Sequence, residues 1–112
     1  MASVLNKFRT VTAEITNGIQ TVYTAPTGYT GIILMAHVAN VSATEEIVTF
    51  SHYDSSAALE TELAKDYPIP GNDAASMTTG KLILEDGDSI RVVAGSNNKM
   101  KLTLSILESL DA

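Results

Sequence analysis

The chain has 112 residues, a formal net charge of −6 at pH 7 and no cysteine. Its length predicts one domain over residues 1–112, because domains typically contain about 100–150 residues. The lack of cysteine excludes disulfides and thiolate metal ligands, and the acidic balance argues against nucleic-acid binding, which needs clustered lysine and arginine. No basic and apolar leader opens the chain, and no apolar stretch approaches the roughly 20 residues of a membrane helix, which predicts a soluble protein without membrane contact.

The N-terminal segment is predicted to be an arm over residues 1–7, followed by a first strand over residues 9–16. Lys7 and Arg9 precede the first acidic residue. They could touch an acidic protein surface, although a solvated arm is the favoured interpretation. Apolar residues at helical spacing make an amphipathic helix the alternative to the strand. The strand is preferred because apolar residues alternate there with threonines and a glutamate.

Turn signals follow this first strand. Asn17-Gly18 tolerates the positive φ angles of a type I′ turn, which predicts a hairpin to a second strand at residues 19–24. The proline and the glycine of residues 25–28 turn the chain again before an apolar run.

That run, at residues 31–41, is predicted to be the central strand. A strand exposed on one side would alternate apolar and polar residues, but here both alternating sets are apolar. We expect one set to face a second sheet and the other to face outward toward another chain, with the reverse assignment as the alternative. The inward set is Ile32, Leu34, Ala36 and Val38, and the outward set is Ile33, Met35, Ala39 and Val41.

The second half of the chain also alternates strands and turns. Residues 42–46 are predicted to be a loop before a strand at 47–53, in which Val48 and Phe50 face inward. Residues 54–60 are predicted to form a loop and residues 61–69 an edge strand that ends at its prolines. A short capped helix is the alternative for this region.

The last strands show the clearest patterns. Asp86-Gly87 predicts a hairpin between strands at residues 81–85 and 89–93. The final strand alternates, with one apolar face made of Met100, Leu102, Leu104 and Ile106. Short strands with a turn signal about every ten residues predict an all-β protein, a single antiparallel β-sandwich or jelly roll of about eight strands.

Candidate chemistry is sparse. His52 and Asp54 would share a strand face, as two metal ligands do, but no cysteine completes a closed site. Residues 85–88 group three carboxylates without the spacing of an EF-hand, so solvated turn acids are favoured and a bound ion is the alternative. Serine-nucleophile and phosphate-binding glycine motifs do not occur. We therefore expect no catalytic residues, no metal and no cofactor.

Several motifs together carry a family resemblance. Residues 21–34 (TVYTAPTGYTGIIL) join an extended strand, a Pro-x-Gly turn and an apolar strand. Residues 66–73 (DYPIPGND) make a proline turn, and residues 80–92 (GKLILEDGDSIRV) make a strand, a Gly-Asp turn and a strand. With the opening MASVLNKFR and the closing LSILES, the chain resembles small β-sandwich virion structural proteins of tailed bacteriophages, notably contractile-tailed phages of cyanobacteria.

The resemblance implies a structural role in a virion and no enzymatic activity. It implies first a capsid decoration or cement protein, bound in many copies to the outside of the head after synthesis in the host cytoplasm. The implied partners are the major capsid protein or other virion proteins and further copies of the chain, with a trimer favoured. The alternative is a tail, neck or baseplate protein, including a receptor- or glycan-binding module that uses its tyrosines.

Six residues are candidates for the partner interface. They combine the basic start of the chain, a tyrosine beside a glycine turn, and the outward set of the central strand: Lys7, Phe8, Arg9, Tyr29, Ile33 and Met35.

The central strand supplies a mutational prediction. Met35→Asp or Ile33→Asp should leave a soluble subunit that fails to assemble. Replacing Leu34 should instead unfold the chain, because a buried leucine contributes about 2–5 kcal/mol. Urea unfolding and size-exclusion chromatography measure the two outcomes, and equal unfolding by both sets would show that the whole strand is internal.

Overall fold

Nine β-strands form two facing sheets. The computed structural model describes residues 6–111, and within this range all regular secondary structure is β-strand. The strands are β1 (Asn6–Ile15), β2 (Gln20–Thr24), β3 (Tyr29–Asn40), β4 (Glu46–Asp54), β5 (Leu59–Ile69), β6 (Ala74–Ser76), β7 (Leu82–Leu84), β8 (Ser89–Ala94) and β9 (Met100–Leu110). The prediction of an all-β antiparallel sandwich is confirmed, with nine strands where about eight were expected. None of the described residues form a helix that could cross a membrane.

The two sheets have different strand orders. In the larger one, called sheet A, the order is β1-β9-β3-β6, and β7 also pairs with β3. In the smaller one, called sheet B, the order is β2-β8-β4-β5. Every ladder is antiparallel. Most connections therefore cross between the sheets, and among the described strands only β4 and β5 are neighbours both in sequence and in a ladder.

Two turns that were predicted to be hairpins carry the chain from sheet A to sheet B instead. Asn17-Gly18 connects β1 to β2, and Asp86-Gly87 connects β7 to β8. A type I′ hairpin needs a positive φ at both central residues, whereas only Gly87 of these four has one, at 84°. The hairpin predictions were wrong because these dipeptides mark a turn without fixing which strands pair.

Strand β1 begins earlier than expected. Asn6 and Lys7, which were assigned to the arm, pair with Ser109 and Glu108 of β9. Residues 1–5, the rest of the expected arm, lie outside the described residues.

The core fills the space between the sheets. On β9 the predicted apolar face is confirmed, since each of its four members is at most 1% exposed. Val48 and Phe50 of β4 are fully buried, as expected, and they meet this face from sheet B. The other buried apolar residues come from β1, β2, β3, β7 and β8, from the last residue of β5 and from the loops between strands: Ile15, Tyr23, Ala25, Ile33, Ala36, Val38, Ile69, Met77, Leu84, Ile90, Val92 and Ala94.

A β-bulge decides which side chains of β3 face this core. Ile33 pairs with Ile106 and Met35 with the adjacent Ser105, so that Leu34 is an extra residue on β3. Such a residue reverses the alternation along a strand. Ile33 is fully buried, whereas Leu34 is 37% and Met35 39% exposed.

The predicted orientation of β3 is therefore correct after the bulge and wrong before it. Ala36 and Val38 are buried and Met35 is exposed, as expected. Ile33 faces the core and Leu34 does not, which corrects the expectation that Ile33 belongs to an outer surface. The sequence could not show this reversal, because both alternating sets are apolar.

Strand β5 is the predicted edge strand, and the capped helix considered for this region is absent from the described residues. It pairs with β4 along one side only. Its charged residues Glu60, Glu62, Lys65 and Asp66 lie on this edge, Asp66 has a φ of 47°, and Pro68 lacks a backbone donor. These features discourage a further strand from pairing here.

The bulge generates a stability prediction. Ile33→Ala should lower the free energy of unfolding by about 2–5 kcal/mol, because it leaves a cavity in the core. Leu34→Ala, one residue away, should lower it by less than about 1 kcal/mol, because the side chain is partly exposed. Urea unfolding of both variants measures the difference, and a larger loss for Leu34→Ala would contradict the bulge.

Candidate functional site

A buried carboxylate holds the start of β1 to the sandwich. Glu108 of β9 is fully buried. Its Oε2 accepts hydrogen bonds from the Tyr23 hydroxyl at 2.6 Å and from Arg9 Nη1 at 3.1 Å. Lys7 Nζ lies 3.4 Å from Oε1, an ion pair whose geometry falls short of a hydrogen bond. One carboxylate therefore links β1, β2 and β9.

A glycine makes room for this network. Gly31 of β3 lies opposite Glu108 in the ladder. A Cβ at this position would lie 3.0 Å from the Tyr23 hydroxyl and 3.2 Å from its Cε2 atom. The bare backbone therefore allows the tyrosine to reach Glu108 from the opposite sheet.

The protonation states follow from these contacts. Burial disfavours the charged form of Glu108, but the hydrogen bonds from Tyr23 and Arg9 and the nearby Lys7 ammonium outweigh it and lower the pKa of the carboxyl group. Burial and the neighbouring carboxylate raise the pKa of Tyr23. Near neutral pH, Glu108 is ionised and Tyr23 is its donor.

Glu108 was not predicted from the sequence, although a signal was present. The alternation of Met100, Leu102, Leu104 and Ile106 continues in phase to position 108. Extending the apolar face by one step would have placed a carboxylate toward the core, where it needs donors.

The outer face of sheet A carries an apolar row across four strands. Phe8 pairs with Leu107, Leu107 with Ile32, and Ile32 with Ile83, across β1, β9, β3 and β7. Leu107 and Ile32 point outward because both sequence neighbours of each are buried. Phe8 is 78% and Ile83 53% exposed. We call these four residues the apolar row.

Neutral hydroxyl groups surround the row. Thr10, Ser105 and Met35 form the adjacent cross-strand row, and Ser109 pairs with Thr30 on the other side. Glu14 is the one acidic residue that the described strands place on this face, and its carboxylate lies 3.7 Å from Lys101 Nζ. By contrast, β4 and β5 of sheet B carry Glu46, Asp54, Glu60, Glu62 and Asp66.

The structure divides the predicted interface residues among three places. Phe8 and Met35 lie on the outer face of sheet A. Lys7 and Arg9 contact Glu108, and they also lie over the rings of Tyr29 and Tyr23, at 5.0 Å and 5.6 Å from the ring centroids. Both basic side chains stay exposed to solvent, at 44% and 45%, while they pair with the buried carboxylate of their own chain. The remaining candidate, Ile33, lies in the core.

A second polar cluster braces the turn between β7 and β8. The expectation of solvated acids in this turn holds for Glu85 and Asp86, which are exposed, and is wrong for Asp88, which is 2% exposed. Its Oδ1 accepts from the Ser55 backbone N–H at 3.2 Å, and its Oδ2 accepts from the Glu85 backbone N–H and lies 3.2 Å from His52 Nε2. These contacts tie the turn to the end of β4.

Three carboxylates meet in this cluster. Ligand oxygens of Asp54, Glu85 and Asp88 lie within 4.8 Å of one another, and such oxygens are the donors that Ca²⁺ accepts. The chain already uses two of these groups. Asp88 makes the contacts given above, and Asp54 Oδ1 accepts hydrogen bonds from Ser56 and Ala57. The Ser56 hydroxyl, followed by the Ala57 N–H, lowers the pKa of Asp54. Protein donors therefore hold Asp54 and Asp88 in place.

No protein-family model and no curated protein matches this sequence. Solved structures do match it in fold. A chain of the T=13 infectious bursal disease virus (IBDV) particle aligns with a TM-score of 0.59 and 8% identity, over 98% of this chain and 32% of that one. A chain of the acid-stable capsid of the Helicobacter pylori bacteriophage KHP30 aligns with a TM-score of 0.57 and 12% identity, over 99% of this chain and 92% of that one. The sandwich is thus of a type that occurs in virus and phage capsids.

The buried carboxylate generates a pH prediction. Since folding lowers the pKa of Glu108, its ionised form stabilises the fold above the unfolded pKa, and this contribution is lost as the pH falls through the folded pKa. Glu108→Gln should lower the free energy of unfolding at neutral pH by about 1–3 kcal/mol. It should also reduce the loss of stability between about pH 5 and about pH 2.

Glu14→Gln is the matched control, because Glu14 lies in an exposed ion pair with Lys101. This change should cost less than about 0.5 kcal/mol. Urea unfolding across the pH range compares the two variants with the parent chain, and equal acid sensitivity of Glu108→Gln and the parent would contradict the assignment.

Proposed function

We propose that this chain is a structural protein of a phage virion that decorates the capsid surface and stabilises the shell. The observation that carries the proposal is the alignment with the KHP30 capsid chain, which covers 99% of this chain and 92% of that one. The match therefore extends over a whole small subunit, whereas the IBDV chain is about three times as long as the part that aligns.

The surface of the sandwich supports a binding role. The outer face of sheet A exposes Phe8, Met35 and Ile83 among neutral hydroxyl groups. Exposed contiguous apolar surface of this kind is typical of protein–protein contacts. We propose the major capsid protein or another virion protein as the partner, together with further copies of this chain.

The titratable groups that the fold buries support a structural role without catalysis. Glu108 is held by Tyr23 and Arg9, and Asp88 by backbone N–H groups and His52. Each carboxylate joins separate strands or turns, which is how buried polar groups fix a fold. These groups serve the sandwich, and we propose no enzymatic activity.

The strength of a cement protein comes from its copy number. A subunit that binds only the assembled shell stabilises it by mass action, and small contributions add over many sites. On the capsid surface, we propose that the copies are grouped as trimers, as the family resemblance implies. A tail, neck or baseplate position is the alternative, and imaging of the particle distinguishes it.

The test compares phage particles made with and without this chain. We expect the particles that lack it to release their DNA at a lower temperature, and we expect purified protein to bind them and restore the higher temperature. DNA-dye fluorescence on heating measures release, and electron cryomicroscopy of the restored particles locates the protein.

Ile33→Asp is the unfolded control, because it places a charge in the core. It should fail to bind the heads if binding requires the folded chain. Heads that release DNA at the same temperature with and without the chain, and that do not bind the purified protein, would overturn the decoration role. Density confined to the tail would support the alternative position.

A further inference from the structure

We propose that the outer face of sheet A is a contact between two copies of this chain, packed face to face about a two-fold axis. The inference rests on the proposed structural function and deepens it by assigning the surface that joins the copies. It is carried by the shape, the charge and the area of the face.

The apolar row gives the face a centre. It crosses β1, β9, β3 and β7 at one level, with Leu107 and Ile32 in the middle and Phe8 and Ile83 at the ends. A two-fold axis between Leu107 and Ile32 would lay the row of one copy along the row of the other. Each apolar side chain would then meet another, as in a contact that uses the same patch on both subunits.

Charge favours a second copy as the occupant. The chain has a net charge of −6, so two copies repel each other unless they meet through surfaces without acids. The strands of sheet A place one acid, Glu14, on the outer face, and it pairs with Lys101. Asp111, directly after β9, accepts a hydrogen bond from the outward Thr30 hydroxyl at one end of the face. Sheet B carries five acids on β4 and β5. Arg91 pairs with Glu60 and Lys99 with Glu46, and the other three acids would repel a second sheet B.

The hydroxyl groups around the row fit the same occupant. Thr10, Ser105 and Ser109 lie beside the apolar row on the outer face. A hydroxyl group both donates and accepts a hydrogen bond. A surface of hydroxyl groups is therefore complementary to itself, which a surface of like charges is not.

The area of the face is sufficient for a stable contact. The 11 residues of β9 extend the face by about 36 Å, and four strands span about 19 Å across it, which gives roughly 700 Å². A standard interface buries about 800 Å² on each partner. Two sheets packed about 10 Å apart would bury most of this surface in one layer of side chains.

The experiment is sedimentation equilibrium of the purified chain at increasing concentration. We expect the mass to rise from 11.9 kDa toward that of two copies. Ile83→Lys should weaken the association at least about tenfold, because the contact would bury an unpaired ammonium group twice. Met35→Asp should weaken it as well, because it adds an acid to a face that is almost free of them.

Two controls match these substitutions outside the face. Ile19→Lys changes an isoleucine that is 66% exposed, and Leu63→Asp changes an apolar residue of β5 that is 42% exposed. Both should leave the association unchanged. Urea unfolding checks that all four variants fold.

Three outcomes would overturn the proposal. They are a wild-type chain that stays a single copy at all concentrations, an equal loss of association in Ile19→Lys and Ile83→Lys, and a purified chain whose mass reaches three copies, because a two-fold contact joins copies in pairs. The particle experiment is independent of these results. A chain that stays a single copy but still binds and stabilises heads would overturn the face-to-face contact and would still support the decoration role.

Discussion

The alternation of side chains along β9 is the constraint on which the larger sheet depends. β9 pairs with β1 on one side and with β3 on the other over nearly its whole length. Its even-numbered residues fill the core up to Ile106 and then present Glu108 to Tyr23 and Arg9. Its odd-numbered residues face outward and include Leu107, near the middle of the apolar row. The same two-residue period therefore determines which residues of β9 lie in the core, that Glu108 is buried, and which residues lie on the outer face.

Much of the fold could be predicted from local patterns. The clear alternation in β9 gave its core face correctly, and the prolines near Ile69 gave an edge strand. The pairing of strands could not be predicted in this way. Asn17-Gly18 and Asp86-Gly87 are good turn formers, but a turn can cross from sheet to sheet as well as reverse within one. Whether a turn reverses within one sheet or crosses to the other is decided by the long-range ladders that β1 forms with β9 and β7 forms with β3.

The candidate site shows the same limit at the level of single residues. Phe8 and Met35 could be identified as surface residues, whereas Ile33 could not be excluded, because the β-bulge at Leu34 reverses the alternation within a run that is apolar throughout. Lys7 and Arg9 were recognised as unusual but not paired, since their partner is 99 residues from Arg9 in sequence. Sequence patterns predict which faces exist, and the pairing of distant strands determines what meets on them.

The edge formed by β5 has a consequence for the form of any assembly. Its acids, its lysine, the left-handed backbone at Asp66 and the proline at position 68 make it a poor template for another strand. Subunits are thus hindered from joining this edge into a continuous ribbon, the route by which β-proteins polymerise into open-ended filaments. Association through a face that is complementary to itself instead stops at a closed number of copies.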